Sequence, residues 1–216
     1  ARALPGVLAV LTHADIAAQA AAIPVRVGAL AGLERCLQLP LAGDTVRYVG
    51  EPIAVVIAQD RYTAEDGADL VVGRIDAREA VVGIAAALRD EVLVHAGCGT
   101  NRAAHYVVQR GDADSAFAGA DYTRKETFRC HRHSSVPLET RGLVARWDPT
   151  RPRLQVWGAA KVPFHNRRLL AQMLGLDEGV VDLIELDVGG SFGARGELYP
   201  EDLLIPLAAM LSGRSI

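Results

Sequence analysis

The feature that most constrains this chain is an apolar run, Val180 to Val188, that breaks into Gly189-Gly190-Ser191-Phe192-Gly193-Ala194-Arg195-Gly196-Glu197. The run predicts a buried strand. Four glycines within residues 189–196 then impose a loop, and an amphipathic segment from Tyr199 predicts a helix. Glycines at this density let the backbone enter φ > 0 and bring amides close to a ligand without intervening Cβ atoms. Successive N–H groups in such a loop can form a concavity for acceptor atoms. Phe192 sits in the middle of it. A plain turn gains nothing from that ring, whereas a flat or sulfur-rich cofactor would. There is no G-x-G-x-x-G, and no Gly-Lys-Ser/Thr closes the loop, so the dinucleotide and P-loop fingerprints both fail. On residue chemistry alone, a ligand loop and a structural turn both stay open.

The 216 residues are enough for one or two domains with real cores, and 50% hydrophobic content with 5% aromatic fits a globular helix-and-strand chain. The net charge of −3 is spread along the sequence, which leaves no nucleic-acid or membrane-surface footprint. No apolar run is long enough to predict a membrane-inserted helix. The start, Ala1-Arg2-Ala3-Leu4-Pro5-Gly6, reads as the middle of a domain. Cys36, Cys98 and Cys130, odd in number and widely spaced, argue against a disulfide framework and fit a reducing compartment. A cytoplasmic location is expected.

Val7 to Leu11 predicts a strand, and Thr12 an N-cap for the turn that follows. Residues 17–42 predict irregular chain or small strands. Val46–Val49 and Ile53–Ala58 predict two strands punctuated by Gly50-Glu51-Pro52, the second apolar on both faces and so central in a sheet. Thr63-Ala64-Glu65-Asp66 predicts a capping box and a helix to about Val72. Ala85–Leu88 and Asp114–Ala120 predict short helices. Val92–His95 and the alternating Tyr122–Arg132 predict strands. Leu143–Asp148 and Leu154–Trp157, joined by Asp148-Pro149-Thr150-Arg151-Pro152-Arg153, predict a hairpin. Asn166–Leu176 predicts a helix with Gly175 near its end.

Four phrases in order resemble one family. They are Pro5-Gly6-Val7-Leu8-Ala9-Val10-Leu11-Thr12 with Asp15-Ile16; Val49-Gly50-Glu51-Pro52-Ile53-Ala54-Val55-Val56-Ile57-Ala58; Pro137-x-Glu139-x-Arg141-Gly142 with Trp147-Asp148; and Trp157-Gly158 through Leu176. With Gly189-Gly190-Ser191-Phe192-Gly193, they make the chain similar to the large subunits of molybdenum hydroxylases. That family spans xanthine dehydrogenases, aldehyde oxidases and aerobic carbon monoxide dehydrogenases.

The resemblance implies an α+β chain: an α/β hammerhead domain over 1–95, a linker over 96–104, and the first, incomplete part of a molybdopterin-binding domain over 105–216. It implies molybdopterin, in its cytosine dinucleotide form, with molybdenum held by the cofactor's own sulfurs. Gly190, Ser191, Phe192, Gly193, Ala194 and Arg195 would line that cofactor. Lys161 stands near where the family commonly carries a glutamine that reaches the molybdenum's oxo ligand. Arg74-Ile75-Asp76-Ala77-Arg78-Glu79 departs from the family's usual strand at that point.

The implied reaction is oxidation of a small substrate (an aldehyde, an N-heterocycle or CO) with water-derived oxygen. Electrons would pass to a 2Fe-2S small subunit and an FAD-binding medium subunit. The C-terminal remainder of the large subunit would be a further partner and would carry the general-base glutamate. No catalytic residue and no metal ligand is therefore assigned here, and residues 1–216 alone are expected to be inactive and to oligomerise or associate. The alternative is a non-catalytic split or truncated subunit that acts as a partner-binding module. A third reading is an unrelated α/β protein with an anion-binding loop.

Other candidates have blander readings. Cys130-His131-Arg132-His133 lacks the matching pair that a closed zinc site needs. Glu51 is expected to be a hydrogen-bonded turn carboxylate, and Asp187 to orient loop amides. Glu139 and Arg141 are expected to pair locally, and Arg167-Arg168 to be solvated charge.

Overall fold

The computed structural model describes residues 1–26, 30–158 and 160–216, and it alternates helices with two small sheets. Part of the 17–42 stretch, residues 27–29, lies outside the described residues. β1 (Val7–Thr12) pairs antiparallel with β2 (Ala54–Ala58). β2 is not central: β1 is its one hydrogen-bonded neighbour among the described residues, and only Ile57 is fully buried. Its second face is apolar without being enclosed. Val46–Val49 forms no strand, and Val49 points into solvent.

α1 (His13–Ile16) starts at Thr12, whose N–H and hydroxyl both donate to Asp15 Oδ2 at 2.7 Å. α2 (Arg61–Asp69) is capped by Asp60, which accepts from Thr63 N–H at 2.9 Å; the expected Thr63 box is displaced because Asp60 offers the earlier acceptor. Gly67 lets α2 lie on the sheet, since a Cβ there would come within 2.9 Å of Val56 Cγ1. α3 (Ile84–Ala87) and α4 (Ala113–Ala118) are short. Val92–His95 and Tyr122–Arg132 are not strands, since neither pairs with another strand among the described residues.

The larger sheet holds the site in place. β3 (Val144–Asp148) and β4 (Arg153–Trp157) form the expected antiparallel hairpin, with Ala145 opposite Val156. From β4 the chain crosses through α5 (Pro163–Leu174) and returns as β5 (Val181–Ile184), parallel to β4. α5 begins earlier than its hydrophobic pattern suggested because Pro163 suits the first helical position, where no N–H is needed. It ends at Gly175, left-handed at φ 66.

β5 is only the first part of the apolar run to Val188. Beyond Ile184 the chain loses its ladder to β4, which itself ends at Trp157. α6 (Pro200–Ser212) packs on β3. Ala145, Leu154, Val156, Leu170, Val181 and Leu203 form the principal core, while Leu204 and Leu207 on α6 meet Ile16 and Leu41 in a second one. α6 is thus largely buried, and its polar residues lie at its ends, Glu201 and Asp202 in the first turn and Ser212 in the last, rather than along one face as an amphipathic helix would place them.

Candidate functional site

β4 and β5 run parallel, so their carboxyl ends open at the same edge of the sheet, where open α/β sheets usually bind ligands. Two connections meet there. The one after β4 carries Lys161 and leads into α5; the one after β5 is the glycine loop. They are joined through the backbone by Lys161 N–H to the Arg195 carbonyl at 3.0 Å and Gly158 N–H to the Ile184 carbonyl at 3.3 Å. Ala160 N–H donates to Glu185 Oε1 at 3.0 Å.

The loop is fixed from behind by Arg195. Its side chain is 4% exposed, and its guanidinium donates through Nε to the Gly190 carbonyl and through Nη2 to the Glu139 carbonyl, both at 2.9 Å. The same Nη2 lies 3.5 Å from Glu139 Oε2, which accepts the Gly189 N–H. Ala194 N–H closes a turn onto the Ser191 carbonyl at 2.9 Å. The carboxylate that orients the loop amides is therefore Glu139, not Asp187, and it reaches across fifty residues of sequence.

Glycines are required at two points for different reasons. At Gly189 a Cβ would stand 2.6 Å from Glu139 Cβ, so the close approach excludes a side chain. At Gly193 the space is open, but φ is +98, a conformation that L side chains rarely adopt. Between them Phe192 is itself left-handed at φ 48, and the residue is 79% exposed. The N–H groups of Gly190, Ser191, Phe192 and Gly193 find no acceptor among the described residues. Ser191 Oγ is buried without a partner among the described residues. The loop thus presents unused donors, a bare α-carbon and an aromatic wall in one place, while its position is secured by an internal ion pair.

Lys161 is exposed, and its Cδ lies 3.5 Å from where a Gly196 Cβ would be. Arg26 is as close to that point and pairs with Glu197 at 3.0 Å. The α5 amino terminus faces the same edge with no side-chain cap among the described residues, and just inside it Asn166 Oδ1 is buried with no partner among them. A cavity of about 20 Å³, room for one water molecule, lies among Leu143, Gly158, Asn166, Arg195 and Asp202.

Arg141 holds the far end of the loop. It donates to Glu201 at 2.7 Å and to Asp202 at 2.6 Å, and its guanidinium lies 4.2 Å from the centre of the Tyr199 ring. Burial pushes the Asp202 carboxyl above the usual carboxylate range, and Arg141 opposes this. Neither Glu139 nor Arg141 pairs locally. Both reach across the sequence to the glycine loop and the helix after it. No signal along the sequence marks the Glu139–Arg195 contact, although Pro137-x-Glu139-x-Arg141 marks its segment.

Elsewhere, Glu51 is buried and accepts the Arg47 N–H at 2.5 Å, as a turn carboxylate should. Arg167 and Arg168 are not free charge. Both bind Glu178, at 2.7 and 3.4 Å, and the Arg167 bond holds the Glu178 carboxyl below its ordinary range. Cys130, His131 and His133 lie exposed on unpaired backbone, and no group of three metal-ligating side chains occurs among the described residues. None of the helices described is long and apolar enough to cross a membrane.

Comparison with known proteins supplies the context for this edge. Residues 94–216 match the family model of the molybdopterin cofactor-binding domain, and residues 1–78 match that of the aldehyde oxidase and xanthine dehydrogenase a/b hammerhead domain. The chain is 34% identical over 206 residues to the nicotine 6-hydroxylase large subunit of Paenarthrobacter nicotinovorans, covering 95% of this chain and 25% of that one. It is 31% identical to the carbon monoxide dehydrogenase large chain of Afipia carboxidovorans, over 99% of this chain and 27% of the relative. Among solved structures, quinoline 2-oxidoreductase from Pseudomonas putida 86 superposes with a TM-score of 0.81 at 34% identity, over 99% of this chain and 27% of that chain. The Cu,Mo-CO dehydrogenase superposes at 0.83 and 27% identity, over 99% and 28%. The chain thus spans about a quarter of the length of these relatives. The two domain matches and the relatives that share them place it in the family of molybdenum hydroxylase large subunits, as an α+β chain with a hammerhead region followed by a molybdopterin-binding region.

Proposed function

We propose that residues 190–195, with Lys161 beside them, form part of the molybdopterin site of a molybdenum hydroxylase large subunit. One observation carries the reading. Phe192 is held at a strained positive φ with its ring in solvent, next to an open Gly193, on a loop that a buried arginine clamps in place. Strain of this kind costs on the order of 1–3 kcal/mol and persists where surrounding structure over-determines it, typically at ligand clamps. The donor set fits a pterin: unused amides for ring and phosphate acceptors, an aromatic wall for a flat heterocycle, and Lys161 for negative charge.

When bound, the cofactor supplies the redox chemistry that places water-derived oxygen on a small substrate. The chain's own residues bind and orient. The amides of Gly190 through Gly193 donate to cofactor acceptors, Phe192 shields one face from water, and Gly193 permits close approach. Arg195 and Glu139 act from behind by holding those amides at fixed positions.

The finer reading follows from the family. The cofactor is the cytosine dinucleotide form, and the substrate is an aldehyde, an N-heterocycle or CO. Electrons leave through 2Fe-2S and FAD-binding partner subunits in a cytoplasmic oligomer. A hammerhead domain over 1–95 and a linker over 96–104 precede the cofactor-binding part. Residues 1–216 do not turn over substrate alone. The test is assembly of the full-length subunit with its FAD and 2Fe-2S partners, followed by molybdenum and pterin analysis and acceptor reduction with each substrate class. Molybdenum bound with turnover of one class is expected. An intact complex with neither metal nor turnover would favour a partner-binding module instead.

A further inference from the structure

Two cysteines that lie 62 residues apart in sequence converge in the fold, with Sγ atoms 4.0 Å from each other. Cys36 ends the 3-10 turn Leu33–Cys36, and Cys98 ends the turn Ala96–Cys98. The segments touch at a second point, since a Cβ on Gly32 would lie 3.4 Å from the Ala103 carbonyl. They therefore run along each other rather than meeting by one side chain. Both thiols are free and half-buried; Cys98 stands between the exposed glycines Gly97 and Gly99, and its Sγ donates to the Arg35 carbonyl at 3.6 Å. Cys130 is exposed and has no thiol beside it among the described residues.

We propose that Cys36 and Cys98 are a reversible disulfide site, oxidised by exchange with a low-molecular-weight disulfide, that fastens the Leu33–Cys36 turn to the Ala96–Cys98 turn. The order of events follows from the surroundings. Burial pushes the Cys36 thiol up, and the neighbouring Cys98 adds to this, while Cys98 is flanked by the exposed Gly97 and Gly99 and is the thiol a small disulfide is taken to meet first. The Cys98 thiolate attacks the small disulfide RSSR, forming a mixed disulfide and releasing one thiolate. Cys36 then loses its proton and attacks Cys98 Sγ, expelling the second thiolate. The balance is two protein thiols plus RSSR giving one protein disulfide plus two RSH. Closing from 4.0 Å to a bond of about 2.0 Å asks for side-chain rotation within two short turns and loss of the Arg35 contact. The bond would link the two stretches that match different domain models, residues 1–78 and 94–216. It would remove freedom at their junction.

The full-length protein in its complex is equilibrated with mixtures of reduced and oxidised glutathione, quenched by alkylation, and digested without reductant. The expected product is a Cys36 peptide joined to a Cys98 peptide with the loss of two hydrogens, restored to two alkylated peptides by dithiothreitol. Cys36→Ser and Cys98→Ser each abolish the joined peptide, and Cys130→Ser leaves it. Hydrogen exchange of the two turns slows on oxidation in the wild type and not in Cys98→Ser. Folded wild-type complex in which both cysteines stay separately alkylated, or stop as separate glutathione adducts, overturns the proposal.

Discussion

The glycine loop and the stretch 104–138 both hold large apolar side chains in solvent, for opposite reasons. In the loop, Phe192 is exposed although its backbone is fixed on every side by Arg195, Glu139 and the Ser191 turn. In the stretch, Phe128 is 82% exposed and Leu138 100%, yet among the described residues hydrogen bonding there is confined to α4 and its ends, the Arg124–Glu126 pair and a contact of His133 with nearby His131. Val136 shares the positive φ of Phe192, at 38, but no comparable clamp holds it. Exposure under restraint is the observation on which the proposed ligand role of the loop rests. Exposure without restraint carries no such argument.

Breaking the restraint should have the largest effect. Arg195→Ala leaves the Gly190 and Glu139 carbonyls without their charged donor. At about 1.5–3 kcal/mol for a hydrogen bond to a charged group, and with both carbonyls partly wet, a loss of roughly 2–4 kcal/mol is expected in urea melts. Unchanged stability would mean that the clamp is incidental. Gly189→Val pushes against Glu139 and should cost roughly 1–3 kcal/mol through the forced shift. Gly111→Ala, with nothing near its Cβ but φ +71, should show only the smaller backbone penalty.

The two phenylalanines separate the cases more finely. Phe192→Ala and Phe128→Ala remove exposed rings and should each alter the stability of the chain by no more than about 0.5 kcal/mol. In the full-length complex, Phe192→Ala alone should lower pterin retention. Equal losses from both would erase the distinction.

The smallest effect concerns two caps. Asp60 is held below the usual carboxylate range by the Thr63 backbone and hydroxyl, and Asp112 by the Ser115 hydroxyl and backbone. A depressed folded pKa gives stability that is present above the unfolded value of about 3.9 and lost as pH falls through the folded one. Asp60→Ala should therefore lower the melting temperature at pH 7 and lose that effect near pH 2. Asp112→Ala should lower the melting temperature less at pH 7, because α4 contributes no residue to either core and its cap stabilises the helix locally. A matching drop for Asp112→Ala would show that the stretch is held as firmly as the sheet.

The same comparison explains what the sequence disclosed. Leu154 and Val156 alternate with polar residues as Tyr122–Arg132 does, and both patterns predict strands. Only the first has β3 and β5 to pair with. Alternation reports which residues suit a sheet, not whether a partner strand is within reach. Val180–Val188 predicted too long a strand for a related reason: apolarity continues past Ile184, but the β4 ladder stops at Trp157. Local chemistry was easier to read. Thr12, Gly175 and Tyr199-Pro200 mark element ends where they were expected, because caps depend on neighbouring residues alone. The clamp was hidden since Glu139 and Arg195 meet through the fold, and Asp187, the nearer carboxylate, was the natural but mistaken choice.

The central claim is that the loop from Gly190 to Gly193 receives molybdopterin, and Gly193→Val tests it most directly. Nothing among the described residues lies within 4 Å of the added Cβ, so the expected cost to folding comes from the φ of +98. The full-length variant and wild type are assembled with their partner subunits, separated by size, and analysed for molybdenum and pterin per folded complex. The account predicts a folded variant complex depleted in both, with the wild type loaded. Full molybdenum and pterin occupancy in a folded Gly193→Val complex would contradict it.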